Sequence, residues 1–134
     1  MTRELLIVVA CALLDADGRV LIAQRPEDKA MAGLWEFPGG KLEPGETLEG
    51  ALVRELKEEL DISTETACLA PLTFSSHGYE EFDLLMPLYV CRKWTGTPIA
   101  IEHQAIRWVR AAELRDFDMP PADVPLIAHL CDLL

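Results

Sequence analysis

The sequence has few basic residues and no apolar run long enough to span a membrane. Twelve lysines and arginines stand against 23 aspartates and glutamates, which gives a net charge of −11. We expect no DNA or RNA polymer as a partner, because binding a polyanion needs clustered basic side chains. The apolar segment at residues 5–14 is too short for a bilayer, and the Asp-Ala-Asp-Gly that follows is unlike a signal-peptide cleavage site. We therefore expect no membrane association.

The cysteines form no recognisable disulfide or metal-binding pattern. They lie far apart, at Cys11, Cys68, Cys91 and Cys131, with no Cys-x-x-Cys pair and no histidine at zinc-finger spacing. Three of them lie in apolar runs, where a free thiol behaves as a small core residue. We expect all four to be reduced, which predicts a cytoplasmic location.

The chain also lacks repeats, low-complexity tracts and linkers, so we expect residues 1–134 to form a single domain. Apolar β-rich segments predict strands, and two segments with helical spacing predict helices. The strands are expected at residues 5–14, 19–25, 34–37, 67–77, 81–94 and 105–109, and the helices at 47–60 and 120–134. The order β-β-β-α-β-β-β-α predicts an α/β fold with a mixed β-sheet sandwiched between helices.

A cluster of glutamates on the first helix is the most unusual feature present. Glu55, Glu58 and Glu59 stand at positions i, i+3 and i+4, so their carboxylates project from one side of the helix, beside the apolar stripe of Leu52 and Leu56. A like-charge pair at i, i+4 costs about 0.2–0.5 kcal/mol. A hard cation would relieve this repulsion, and Mg²⁺ typically binds through a few carboxylates together with the phosphates of a substrate.

The alternative interpretation is a solvated acidic face paired with Arg54 and Lys57. The loop before the helix argues against it. Residues 38–46, Pro-Gly-Gly-Lys-Leu-Glu-Pro-Gly-Glu, combine flexible glycines with the cation Lys41 and the carboxylate Glu46. Loops that bind phosphate directly are usually rich in small and basic residues. A loop rich in carboxylates instead indicates phosphate bridged by a metal ion.

Residues 40–62 resemble the Nudix box, G-x5-E-x7-R-E-U-x-E-E-x-G-U, in which U is a bulky aliphatic residue. The matching positions are Gly40, Glu46, Arg54, Glu55, Leu56, Glu58, Glu59 and Ile62. Asp61 departs from the pattern, which has glycine there. We expect Asp61 to adopt the left-handed conformation that closes the helix, at a cost of about 1 kcal/mol.

The resemblance to the Nudix hydrolase family implies a set of metal ligands and catalytic residues. The implied ligands of Mg²⁺, or of Mn²⁺ as a substitute, are the Gly40 carbonyl, Glu55, Glu58, Glu59 and, from a later loop, Glu102. The general base stays open among Glu55, Glu46 and Glu102. Arg54 is expected to orient Glu46 and the helix rather than to touch the substrate.

The segments Gly-Leu-Trp-Glu-Phe-Pro-Gly-Gly-Lys and Pro-Pro-Ala-Asp-Val-Pro-Leu extend the resemblance to the MutT-like branch of the family. That branch hydrolyses a nucleoside triphosphate to the monophosphate and pyrophosphate, which makes a small nucleotide the expected partner and 8-oxo-dGTP the first substrate to consider. Arg25 and Lys41 are candidates for the phosphates. Asp123 occupies the position of a base-pairing asparagine, and Phe37 and Phe82 are candidates for the base pocket.

Several alternatives stay open. An ionised Asp123 only accepts hydrogen bonds, which suits the amino group of cytosine and favours a CTP or dCTP pyrophosphohydrolase. ADP-ribose or dinucleoside polyphosphates are further substrates that the motif allows. A non-catalytic Nudix nucleotide-binding module is the alternative of another class, although such modules usually lose glutamates of the motif. The state could be monomer or homodimer, and the three histidines are assigned no role.

Overall fold

The computed structural model describes residues 3–134, which form seven strands and two α-helices. Two short 3₁₀ helices, Thr66–Cys68 and Ala111–Asp116, connect them. The strands are β1 (Glu4–Leu13), β2 (Arg19–Gln24), β3 (Trp35–Glu36), β4 (Gly39–Lys41), β5 (Leu69–Gly78), β6 (Phe82–Cys91) and β7 (Ala105–Arg110), and the helices are α1 (Leu48–Leu60) and α2 (Leu126–Leu133).

The strands divide into two sheets. The first is a mixed four-stranded sheet with the order β4-β1-β6-β5, in which β1 runs parallel to β6 and antiparallel to β4. The second is antiparallel, with the order β3-β2-β7. The strand predicted after the turn at residues 15–18 does form, as β2, but it is joined to β1 through a single bridge between Leu14 and Val20. The sequence did not predict that β2 would lie in another sheet, because apolar alternation marks a strand without naming its partner.

The mixed sheet lies between the two helices, as the sequence predicted. Alternate side chains of β1 enter different apolar cores: Val9 and Cys11 pack on the side of α1, whereas Ala10 and Ala12 pack on the side of α2. This follows from the two-residue period of a strand, which sends successive side chains to opposite faces. The glutamates of α1 therefore lie at the rim of a solid core.

Both ends of α1 form as predicted. Thr47 caps the first turn, and its hydroxyl accepts a hydrogen bond from the Gly50 N–H at 3.0 Å. At the other end Asp61 is left-handed, with φ 57° and ψ 39°, and donates its N–H to the Lys57 carbonyl at 3.1 Å. Fixed ends set the rotation of the helix and hence the direction in which its glutamates point.

The segment at residues 35–41 crosses from one sheet to the other. Its first part, β3, pairs with β2, and its second part, β4, pairs with β1. Gly39 permits the close approach to β1, since it has φ 156° and an added Cβ would lie 1.9 Å from the Val9 carbonyl oxygen. The sequence predicted one short extended piece closed by a turn here. The structure divides it into two strands.

The four cysteines are free thiols, with Cys11 and Cys91 buried. Among residues 3–134, no helix has the length and apolar character needed to cross a membrane.

Candidate active site

A cleft of about 320 Å³ opens where the crossing segment, helix α1 and the loop before β7 meet. Basic, acidic and apolar side chains all line it. Its polar lining includes Arg25, Lys29, Glu36, Lys41, Glu55, Glu59, Glu102 and His103. The structure therefore gathers residues from three separate parts of the sequence into one polar cleft.

Gly40 and Glu55 meet at the edge of this cleft. An added Cβ on Gly40 would lie 2.4 Å from Glu55 Cδ, so the absence of a side chain is what admits the carboxylate. Glu55 is largely buried, and its Oε1 accepts a hydrogen bond from Arg54 Nη1 at 2.9 Å. The loop and the helix of the motif are thus in direct contact at a carboxylate.

Arg54 ties that loop to the helix. Its Nε and Nη2 donate to the two carboxylate oxygens of Glu46, at 2.7 and 2.8 Å, and Nη2 also donates to the Lys41 carbonyl at 3.2 Å. These hydrogen bonds from Arg54 lower the pKa of Glu46 to about 2. Glu46 is therefore ionised, and it lies outside the lining of the cleft. This geometry agrees with the expectation that Arg54 orients Glu46 and does not face the substrate.

Glu59 is a buried acid that forms no ion pair with a lysine or arginine of residues 3–134. It is 6% exposed, and its Oε2 has no hydrogen-bond partner. Burial raises its pKa, and a hydrogen bond with Glu55 and the charges of Glu55, Glu36 and Glu102 raise it further. A group of oxygen ligands with excess negative charge fits a hard divalent cation. Within residues 3–134, no three acidic, histidine or cysteine side chains are arranged so that they could hold a metal ion as they stand, so binding one would require side chains to move.

The loop at residues 99–104 brings Glu102 to the same place. The N–H groups of Ile99 and Ile101 donate to the carbonyls of Leu60 and Glu59, each at 3.1 Å. These bonds hold the loop against the last turn of α1, and Glu102 lines the cleft. Glu58 differs from its neighbours, because its side chain is 50% exposed, bonds to Arg54 at 3.3 Å and does not line the cleft.

Three basic side chains also line the cleft. Arg25 donates from Nη1 to Glu36 Oε1 at 2.9 Å and from Nε to the Ala30 carbonyl at 2.7 Å. Lys41 and Lys29 line the same cleft. Sequence reasoning named Arg25 and Lys41 but missed Lys29, which belongs to an irregular loop without a motif. It also missed Glu36 and His103. Glu36 could have been noticed, because strand alternation in residues 34–37 directs its side chain to the face opposite that of the aromatic residues on either side of it.

Phe37 and Asp123 are adjacent although they are far apart in sequence. Asp123 is 2% exposed, and its Oδ2 accepts a hydrogen bond from the Phe37 N–H at 3.1 Å. Burial raises the pKa of Asp123 to about 7, and the charge of Glu36 adds to the rise. Phe37 lines the cleft, whereas Phe82 stacks on Tyr79 with ring centroids 4.9 Å apart and does not line it.

Comparison with known proteins agrees with this geometry. A family model described as NUDIX domain matches residues 9–129. The chain belongs to the NUDIX domain family, the Nudix hydrolases, as the motif at residues 40–62 predicted. Hydrolases of this family generally need divalent metal ions, in accord with the acidic cleft.

Individual relatives cover nearly the whole chain. It is 40% identical over 124 residues to the CTP pyrophosphohydrolase of Escherichia coli strain K12, which covers 91% of this chain and 89% of that protein. It is 39% identical over 116 residues to the 8-oxo-dGTP diphosphatase of the same organism, covering 85% and 87%. Among solved structures, that of the E. coli ORF135 protein superposes with a TM-score of 0.86 at 36% identity, covering 98% of this chain and 91% of that one.

Proposed function

We propose that this protein is a Mg²⁺-dependent nucleoside triphosphate pyrophosphohydrolase that converts a nucleoside triphosphate and water into the monophosphate and pyrophosphate. The observation that supports it best is the buried carboxylate of Glu59, whose Oε2 has no hydrogen-bond partner, in a cleft that is also lined by Glu55, Glu102, Arg25 and Lys41. Non-catalytic Nudix modules usually lose glutamates of the motif, and all of them are present here.

The acidic residues at the cleft would hold the ion. The Gly40 carbonyl, Glu55, Glu58, Glu59 and Glu102 are the candidate ligands. When bound, Mg²⁺ neutralises charge on the phosphates and increases the acidity of a bound water. Glu58 would have to leave Arg54, with which it forms a partly exposed ion pair of small value.

Arg25 and Lys41 would bind the phosphates, with Lys29 as a third cation. The Arg25 guanidinium is already fixed by Glu36 and the Ala30 carbonyl, so little side-chain entropy is lost when a phosphate binds. Glu55 and Glu102 are the better candidates for the general base. The low pKa of Glu46 makes it a weak base, and Arg54 occupies both of its oxygens.

Base selection would take place near Phe37, which lines the cleft, and Asp123, which is 2% exposed and would have to be uncovered to contact a base. An ionised Asp123 accepts from the N1–H and N2–H edge of a guanine-type base or from the cytosine amino group. Protonated, it also donates to a guanine O6, and burial raises its pKa to about 7, so both forms are accessible near neutrality. We therefore propose 8-oxo-dGTP as the first substrate. CTP or dCTP is the second, because an acceptor-only Asp123 suits cytosine.

Pyrophosphate release from 8-oxo-dGTP, dGTP, CTP, dCTP and 5-methyl-dCTP tests this proposal. Turnover of at least one nucleotide is expected with Mg²⁺ and should vanish with excess EDTA. The variant Asp123→Asn should change the ratio of 8-oxo-dGTP to CTP turnover, and an unchanged ratio would remove Asp123 from the base site. Absence of pyrophosphate from every nucleotide would refute the activity itself. A cytoplasmic location and a monomeric or homodimeric state stay predictions.

A further inference from the structure

His103 lies between two carboxylates in the cleft. Its side chain is 6% exposed. Nε2 lies 2.9 Å from Glu36 Oε2, and Nδ1 lies 3.9 Å from Glu59 Oε2. The ring thus faces the arginine-bound Glu36 with one nitrogen and the candidate metal ligand Glu59 with the other.

The contact with Glu59 involves two groups that each need a partner. In the part of the chain that the structure describes, Glu59 Oε2 and His103 Nδ1 are the buried side-chain polar atoms without a hydrogen bond. Buried polar groups are nearly always hydrogen-bonded. These two atoms face each other, and a closure of about 1 Å would bring them to ordinary hydrogen-bond distance. The bond needs a hydrogen on one of the two atoms: an ionised Glu59 requires it on Nδ1, whereas a protonated Glu59 supplies it itself.

The other side of the ring is already fixed. Glu36 accepts from Arg25 through Oε1, which leaves Oε2 to accept from the His103 Nε2–H. The backbone around His103 is held at both sides, because the Ile101 N–H donates to the Glu59 carbonyl and the Gln104 N–H donates to the Gln24 carbonyl, each at 3.1 Å. His103 therefore cannot move far from Glu59 without breaking several bonds.

We propose that His103 is a positioning residue that orients the Glu59 carboxylate for the metal ion through Nδ1, while Glu36 and Arg25 hold the ring through Nε2. This inference rests on the proposed function, in which Glu59 is a ligand. Partners of metal-bound carboxylates commonly influence affinity because they fix the ligand's orientation. The contacts Arg25–Glu36–His103–Glu59 also link a candidate phosphate-binding residue to a candidate metal ligand.

Two amide substitutions test the roles of the two ring nitrogens of His103 separately. In His103→Asn the amide lies near the position of Nδ1, so a polar group stays beside Glu59 and the contact with Glu36 is lost. In His103→Gln the amide reaches the position of Nε2, which keeps Glu36 and leaves Glu59 alone. His129 is exposed on α2 and does not line the cleft. His129→Asn and His129→Gln are therefore matched controls.

Mn²⁺ binding without nucleotide, followed by electron paramagnetic resonance, measures the effect directly. His103→Gln should weaken Mn²⁺ binding by about tenfold, and His103→Asn should retain most of the affinity. Both His129 variants should bind as the wild type does. Equal affinities for wild type and His103→Gln would overturn the inference. Equal losses in the two His103 variants would also overturn it, because they indicate a general packing role.

A second measurement uses the unmodified protein and does not depend on how the variants fold. On titration with Mg²⁺, the ¹⁵N resonance of His103 Nδ1 should move while the resonances of His129 stay in place. A stationary Nδ1 resonance in a protein that binds Mg²⁺ would overturn the role of His103 alone. A wild-type protein that binds neither ion would instead overturn the proposed function together with this inference.

Discussion

Gly40 and Glu55 are in such close contact that a side chain on Gly40 would displace the Glu55 carboxylate. An added Cβ on Gly40 would lie 2.4 Å from Glu55 Cδ and 2.5 Å from each carboxylate oxygen. The glycine of the motif therefore leaves room for this carboxylate, whereas Gly45, with φ 82° and nothing within 4 Å of an added Cβ, is required by conformation.

The substitution Gly40→Ala should displace the Glu55 carboxylate and leave the fold intact. A displacement of about 1 Å in a catalytic group can lower turnover by roughly 100-fold, and we expect a loss of that order in pyrophosphate release. Gly78→Ala, at the far end of β5, is the matched control, because its added Cβ would meet only the movable Asp83 side chain at 3.3 Å. Equal activity in the two variants would show that the Glu55 position is not critical.

Glu46 should make the stability of the protein depend on pH in the acid range. Its pKa is lowered from an ordinary 4.5 to about 2 by Arg54. A lowered pKa means that the stabilisation is present above the unfolded value and is lost as pH falls from 4.5 towards 2. The difference in unfolding free energy between wild type and Glu46→Gln should therefore shrink over that range, as measured by urea denaturation. Glu65→Gln, which changes an exposed residue, should show no such trend.

Asp123 should have the opposite effect nearer neutrality. Burial raises its pKa from 3.8 to about 7, so ionising it opposes folding. A raised pKa means that the protonated carboxyl contributes stability at low pH, and that this contribution is lost as pH rises through about 7. Relative to Asp123→Asn, the wild type should lose melting temperature as pH rises from 3.8 to about 7, with no further loss above that value. A difference in melting temperature that is independent of pH would contradict the buried, titrating carboxyl.

Asp61 departs from the family motif at a measurable cost. It holds φ 57°, which glycine adopts without strain. Asp61→Gly should raise the unfolding free energy by about 0.5 kcal/mol, because relief of about 1 kcal/mol of strain exceeds the loss of an exposed ion pair with Lys57. Asp61→Ala is the control and should be destabilising, since it keeps the strain and loses the pair. Denaturation midpoints that rank alanine above glycine would contradict this.

Helix α1 could be predicted from the sequence almost completely, because its determinants are local. Thr47 caps it, Leu52 and Leu56 mark its buried face, and Asp61 closes it. The glutamates on its rim follow from helical spacing alone. The same reasoning could not have assigned β2 to a second sheet, because pairing depends on residues distant in sequence.

The remainder of the site was harder to predict because it depends on tertiary contacts. His103 has no motif of its own, and its role emerges only when the loop before β7 is bonded to the end of α1. Phe82 differs from His103, because the sequence did assign it a role. As an aromatic residue in a strand it suggested a base pocket, whereas its nearest aromatic contact is Tyr79. Asp123 was noted for its position in the sequence, but its burial against the Phe37 backbone could not be foreseen.

The central claim is that Glu59 is a buried acid whose charge is compensated by a divalent ion during hydrolysis of the nucleoside triphosphate. Comparing Glu59→Gln with Glu65→Gln in steady-state pyrophosphate release at saturating Mg²⁺ tests it most directly. Glu59→Gln should stay folded, be more stable than wild type when Mg²⁺ is absent, and lose turnover by roughly 100-fold, while Glu65→Gln keeps it. Full turnover in a folded Glu59→Gln protein would contradict the account.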